Sequence, residues 1–156
     1  MKRFVLILLA ITVSGTGAGF AQEGFIKPAF IIGYLTGTGD LKELEGITLG
    51  VDVDFVHSSG LTLGISNWHI NELQEDGGHS SSNMIGLGYT YAVDKWCLGG
   101  KFMVNLSSTA LLGINANFNY WLSGNLGIGA IGNFLFSADD NEGSVISLAA
   151  GLSLKF

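Results

Sequence analysis

Three histidines and a single cysteine carry most of the nucleophilic and metal-binding chemistry open to this chain. His79-Ser80-Ser81-Ser82-Asn83 and His57-Ser58-Ser59 each set a histidine beside serines, as a general base and an oxygen nucleophile require. Neither segment fixes the acid that should orient the imidazole, and short combinations of this kind recur by chance. Glu75, Asp76 and His79 offer ligands to a divalent cation without the spacing of a closed site, so a solvated loop is the simpler reading. Cys97, between Trp96 and Leu98, reads as a packing residue, because a reactive thiol needs an accessible electropositive setting. Gly86-Leu87-Gly88 and Gly127-Ile128-Gly129 lie in strand patterns with no following helix and are not phosphate loops. No cofactor or metal is expected.

Five charges sit in a different setting. Lys27, Asp52, Asp54, Lys101 and Lys155 each interrupt a series of Gly, Ala, Ser, Thr or Asn that alternates with apolar residues, the period of a half-buried strand. Eight segments carry that period: about Gly24 to Leu35, Ile47 to His57, Leu61 to Ile70, Met84 to Val93, Trp96 to Leu106, Leu112 to Tyr120, Leu126 to Phe136 and Ile146 to Phe156. The sixth is the cleanest, with Leu112, Ile114, Ala116, Phe118 and Tyr120 against Gly113, Asn115, Asn117 and Asn119. The first is the least regular, since Ile31 and Leu35 share the small face with Lys27, Ala29 and Gly33; the third becomes mixed around Trp68 and His69.

The connections after the second, fourth and sixth segments (58–60, 94–95 and 123–125) are short, and those after the first, third and seventh (36–46, 71–83 and 137–144) are long. Only the fifth, Ser107-Ser108-Thr109, is short where a long loop is allowed. This alternation predicts an antiparallel up-and-down barrel with both chain ends on one side. After the first 21 residues no segment approaches the roughly 20 apolar residues of a transmembrane helix, so crossing a membrane requires a closed barrel. A soluble barrel would turn the small face to water and carry Lys and Glu there. Small residues instead suit the narrow interior of eight strands. The apolar face is therefore expected to meet lipid, with Phe55, Tyr91, Trp96, Tyr120, Trp121 and Phe156 forming interfacial girdles. Inside, Lys27 is expected to pair with Asp54 and Lys101 with Asp52, while Asn115, Asn117, Asn119, Asn133 and Lys155 extend a lumen network, because an isolated buried charge is costly.

At the start of the chain, Met1-Lys2-Arg3 is basic, Phe4 to Val13 is apolar and Gly19-Phe20-Ala21 is small-x-small, the pattern of a secretory signal peptide cut after Ala21. Residues 22–156 then form one barrel domain. A single cysteine rules out an internal disulfide framework. Without Lys2 and Arg3, five lysines face 13 acids, a formal charge of −8 that argues against a nucleic-acid partner; nine of the acids fall in the three long connections. At the other end, Gly151-Leu152-Ser153-Leu154-Lys155-Phe156 resembles the Gly-x-x-apolar-x-Phe closing strand of bacterial outer-membrane β-barrels. That resemblance makes Gly151, Leu154 and Phe156 an assembly signal for the barrel-insertion machinery.

Over residues 22–156 the chain resembles the small eight-stranded outer-membrane proteins: the OmpX kind, the OmpA membrane domain, opacity proteins and the OmpW kind. Gly86-Leu87-Gly88-Tyr89-Thr90-Tyr91 is similar to their Gly-aromatic strands. The resemblance implies an all-β transmembrane barrel in the cell outer membrane, surrounded by its lipid, non-enzymatic, with a plugged lumen and acidic loops outside. An alternative it carries is a narrow channel or lateral portal for small hydrophobic solutes, as in the OmpW kind. Outer-membrane lipid A deacylases are similar in size and use a His-x-Ser-Asn motif on a lipid-facing strand. Here Gly78 to Asn83 departs in register and is expected in a loop, and His57-Ser58-Ser59 lacks the Asn, so a lipid A esterase ranks third.

Overall fold

Alternating side chains place every second residue on one wall of a strand, and a sheet with two such walls loses its edges only by closing. A computed structural model describes residues 24–42, 44–72, 79–106, 111–137 and 143–156. The expected signal peptide lies outside them, as do Glu75, Asp76 and most of the acidic loop residues. The described chain forms eight strands: β1 (Phe25–Gly37), β2 (Glu45–Val56), β3 (Leu61–Glu72), β4 (His79–Val93), β5 (Trp96–Asn105), β6 (Leu111–Trp121), β7 (Leu126–Ser137) and β8 (Ser144–Leu154). Each pairs with the next, and β1 pairs antiparallel with β8 to close the barrel.

The ladder is staggered. Followed once around from Lys27 through Asp54, Gly64, Gly86, Met103, Gly113, Leu135 and Val145, it returns to β1 at Gly37, ten residues further on. Such a shear tilts the strands and, with eight of them, leaves an interior that side chains can fill. The turn after β2 uses Gly60 at φ +90, and the Asp94-Lys95 turn uses Asp94 at φ +47, the left-handed conformation that a tight hairpin needs.

Strand existence follows the sequence pattern, but several ends do not: β1 runs on to Gly37, and β8 spans Ser144 to Leu154. β4 begins at His79 instead of Met84, β3 runs on to Glu72, and β2 starts at Glu45. The stretch Gly78 to Asn83, expected in a loop, is thus strand from His79 onward. Its backbone stays paired with β3, Asn71 opposite His79, while the residues facing outward, Ser81 and Asn83, are polar. Alternation of hydropathy vanishes there although the ladder continues.

The walls divide sharply. Ile114 is 45% exposed and Asn115 beside it 1%. Outward on the other strands stand Phe30, Ile32, Leu49, Leu63, Ile65, Leu87, Leu98, Ile128, Leu148 and Leu152, a belt matched to hydrocarbon and not to water. Inward, the small residues are joined by large ones. Ala29, Ile31, Leu35, Trp68, Met84, Met103, Ile131, Leu135, Val145 and Ala149 form one buried cluster, and Phe25, Val56, Cys97 and Trp121 form a second at the end of the barrel where β1 starts and β8 finishes. Trp121, expected in an outer girdle, turns inside because it continues the Asn115, Asn117, Asn119 row of β6. Trp96, Tyr91, Phe55 and Phe156 do face outward.

Candidate functional site

The lumen holds the buried charges, and their arrangement follows from the register. Lys27 stands directly opposite Asp54, and its Nζ lies 3.1 Å from Asp54 Oδ2. Lys101 reaches the same carboxylate from β5 and donates to Oδ1. It therefore pairs with Asp54, not with Asp52 as the sequence suggested. The glycines on the inner faces of β3 and β4 make this reach possible. A Cβ on Gly64 would stand 2.6 Å from Lys101 Nζ and 2.8 Å from Asp54 Oδ1, and one on Gly88 would stand 2.6 Å from Lys101 Cα. Gly64 on β3 thus leaves room for the lysine head beside the carboxylate, and Gly88 on β4 lets its own backbone approach the root of that side chain.

Asp52 accepts instead from the indole of Trp68, Nε1 to Oδ1 at 3.0 Å. Trp68 fits over Gly50, where a Cβ would come within 2.9 Å of its ring. The alternation signal in β3 was blurred at this residue because a large aromatic occupies the small face. From Lys27 an amide relay climbs the far wall: Lys27 Nζ donates to Asn117 Oδ1 at 3.1 Å, Asn117 Nδ2 to Asn115 Oδ1 at 3.0 Å, Asn115 Nδ2 to Asn133 Oδ1 at 2.7 Å, and Asn133 Nδ2 to Ser147 Oγ at 3.0 Å. Asn119 accepts from Ser153, and Thr62 donates to Thr90 at 2.8 Å. Two lysines on one aspartate leave a positive excess that Asp52, two residues away on the same wall, balances. The cavity left among Lys27, Asp52, Asp54, Asn117, Asn119 and Ser153 is about 20 Å³, room for about one water.

Lys155 stands apart from this network. Its Nζ lies 4.9 Å from the centre of the Phe25 ring and 6.0 Å from that of Trp121, a cation over two aromatics at the mouth where β1 starts. Cys97 is buried in the same cluster. Of the residues singled out in the closing strand, Gly151 and Phe156 pair across the β1–β8 seam: Ile26 N–H donates to Phe156 O at 2.9 Å and Phe156 N–H to Ile26 O at 3.0 Å. Gly151 faces Ile31, whose Cα would lie 3.0 Å from an added Cβ, so close approach of the two strands requires glycine there. Leu154 stands opposite Leu126, and the Phe156 side chain is exposed.

The histidines separate. His57 Nδ1 lies 3.0 Å from Ser59 Oγ and accepts from Ser59 N–H at 3.2 Å, contacts that fold the β2–β3 turn on itself. His69 faces outward on β3, directly opposite Ser81 on β4. Sequence reading missed this juxtaposition because it depends on a register fixed far below, where Leu63 meets Leu87.

No family model matches the chain, and no curated protein sequence does. Solved structures do. Neisserial surface protein A superposes with a TM-score of 0.63 at 13% identity, covering 88% of this chain and 100% of that one. Ail, the attachment invasion locus protein of Yersinia pestis, gives 0.62 at 13% over 86% and 100%. The outer membrane protein OprG from Pseudomonas aeruginosa gives 0.58 at 11% over 88% and 98%. At these identities the likeness is one of architecture, and the chain has the fold of the small eight-stranded bacterial outer-membrane β-barrels.

Proposed function

We propose that this is a non-enzymatic integral protein of the outer membrane, exported by residues 1–21, whose closed lumen makes it a rigid platform for acidic loops outside the cell. The observation that carries the reading is the contrast between an apolar outer wall and an inner wall of packed small, polar and apolar side chains, on which the cavity among Lys27, Asp52, Asp54 and Asn117 has room for about one water. Supporting it, the extracellular half of the interior is filled by Leu35, Met84, Met103, Leu135 and Val145, which weighs against a portal for hydrophobic solutes. Outer-membrane lipid surrounds the belt, and the assembly machinery reads Gly151, Leu154 and Phe156 on the closing strand. Ail has been solved in complex with the heparin analogue sucrose octasulfate. A formal charge of −8 on residues 22–156 here favours cationic or neutral surface partners instead.

A second reading, a lipid A esterase, draws on one observation: His69 and Ser81 face each other on the outer wall, at the end of the barrel away from where β1 starts. Refolded protein in liposomes tests both readings together. Absence of ion conductance and solute uptake, with lipid A unchanged by mass spectrometry, is the expected result. Solute flux would favour the portal, and a lost acyl chain the esterase.

A further inference from the structure

The outer belt is not apolar over its full height on every strand. On β2 the outward residues run Phe55, Val53, Val51, Leu49, Ile47; directly opposite on β3 they run Leu63, Ile65, Asn67, His69, Asn71. β4 widens the polar sector with Asn83 opposite Asn67 and Ser81 opposite His69, and Asn67 Nδ2 donates to Asn83 Oδ1 at 2.7 Å. The sector ends at Leu106, which follows β5, donates its N–H to Asn83 O and is 66% exposed. On the opposite wall Ile114, Phe134, Ile146 and Leu148 keep the outward face apolar. Among the described residues the belt below the polar rim of Thr36, Glu45 and Ser144 therefore has one polar sector, two strands wide. Polar side chains turned toward hydrocarbon are unfavourable, and in membranes they mark contacts between protein segments.

We propose that this sector, centred on Asn67 and Asn83, joins two copies of the chain side by side in the membrane. Its chemistry points to a second copy and not to an ion or a charged headgroup. Carboxamide, hydroxyl and imidazole all both donate and accept, and no formal charge lies among Asn67, His69, Asn71, Ser81 and Asn83. A two-fold axis along the membrane normal, passing between β3 and β4, presents the same groups in reverse order, so that each donor meets an acceptor. Because the sector is single, the contact closes at a dimer, and the rest of the belt stays in lipid. This inference rests on the reading that the outer wall faces lipid.

In a Cys97→Ser background, His69→Cys protein is refolded into phosphatidylcholine vesicles and mildly oxidised, with Phe134→Cys on the opposite wall as control. His69→Cys should yield several-fold more disulfide-linked dimer than Phe134→Cys, and dilution with excess lipid should lower the yield. Adding Asn67→Leu and Asn83→Leu should cut that yield several-fold while the barrel keeps its folded, heat-sensitive gel mobility. Equal yields at the two positions, or leucines without effect, would overturn the proposal. A monomer whose His69→Cys thiol is nevertheless shielded from a water-soluble reagent would assign the sector to a bound lipid, which also overturns it. A fluorophore on Phe134→Cys, read separately with lipid-borne quenchers, shows whether the underlying belt reading has failed.

Discussion

The two halves of the lumen are filled by opposite means. In the half toward Phe25 and Phe156, above the apolar cluster of Phe25, Val56, Cys97 and Trp121, Lys27, Asp54 and Lys101 form a charged triad from which an amide relay climbs β6, β7 and β8. Toward the other end, Leu35, Trp68, Met84, Met103, Leu135 and Val145 pack across the lumen, and among the described residues no ion pair joins them there. The polar half tolerates no missing partner, since a buried charge stripped of its counter-ion keeps its full desolvation penalty. The apolar half responds to lost volume in proportion. One barrel thus shows both ways of closing a narrow interior, with Trp68 joining them through its bond to Asp52.

Breaking the polar half should have the largest effect. Asp54→Ala strands two buried lysines and should destabilise the folded barrel by about 3–5 kcal/mol in a urea titration in lipid vesicles. Replacing the triad together, as Lys27→Met, Asp54→Leu and Lys101→Met, should recover most of that loss, because a well-packed apolar substitute for an ion network is often neutral. A triple variant as unstable as Asp54→Ala would show that the halves do not differ in kind.

Truncation in the apolar half should cost less. Leu35→Ala is expected to lose about 2–4 kcal/mol in the same titration, and Leu35→Val visibly less, the graded response of a cavity. A smaller effect sharpens the role of the inner glycines: Gly64→Ala should cost about 1–3 kcal/mol, because its methyl group intrudes between Lys101 and Asp54. Combining it with Lys101→Ala, which leaves only the contact with Asp54, should shrink the penalty of the added methyl group; an undiminished penalty would refute the positioning role.

The polar half was the more legible in sequence. Lys27, Asp52, Asp54, Lys101 and the asparagines stand out because charges and amides on a face of small residues have no bland explanation, and β6 alternates without a break. The pairing of Lys101 was not legible, since it depends on the room that Gly64, two strands away on β3, leaves for the lysine head. The apolar half was nearly invisible. Large apolar residues on the inner face, such as Ile31, Leu35 and Trp68, read as irregularity in the alternation, when they are the filling itself. Trp121 was recoverable from the β6 parity alone. The outer end of β4 was not, because hydropathy there stops alternating while the backbone ladder runs on.

The assignment of the two walls carries the whole account, and fluorescence on adjacent β6 positions tests it most directly. In a Cys97→Ser background in vesicles carrying lipid-borne quenchers, a fluorophore on Ile114→Cys should be strongly quenched, while the Asn115→Cys thiol of the folded barrel should resist labelling. An Ile114→Cys label that escapes lipid quenching, with Asn115→Cys readily labelled, would contradict the outward apolar wall.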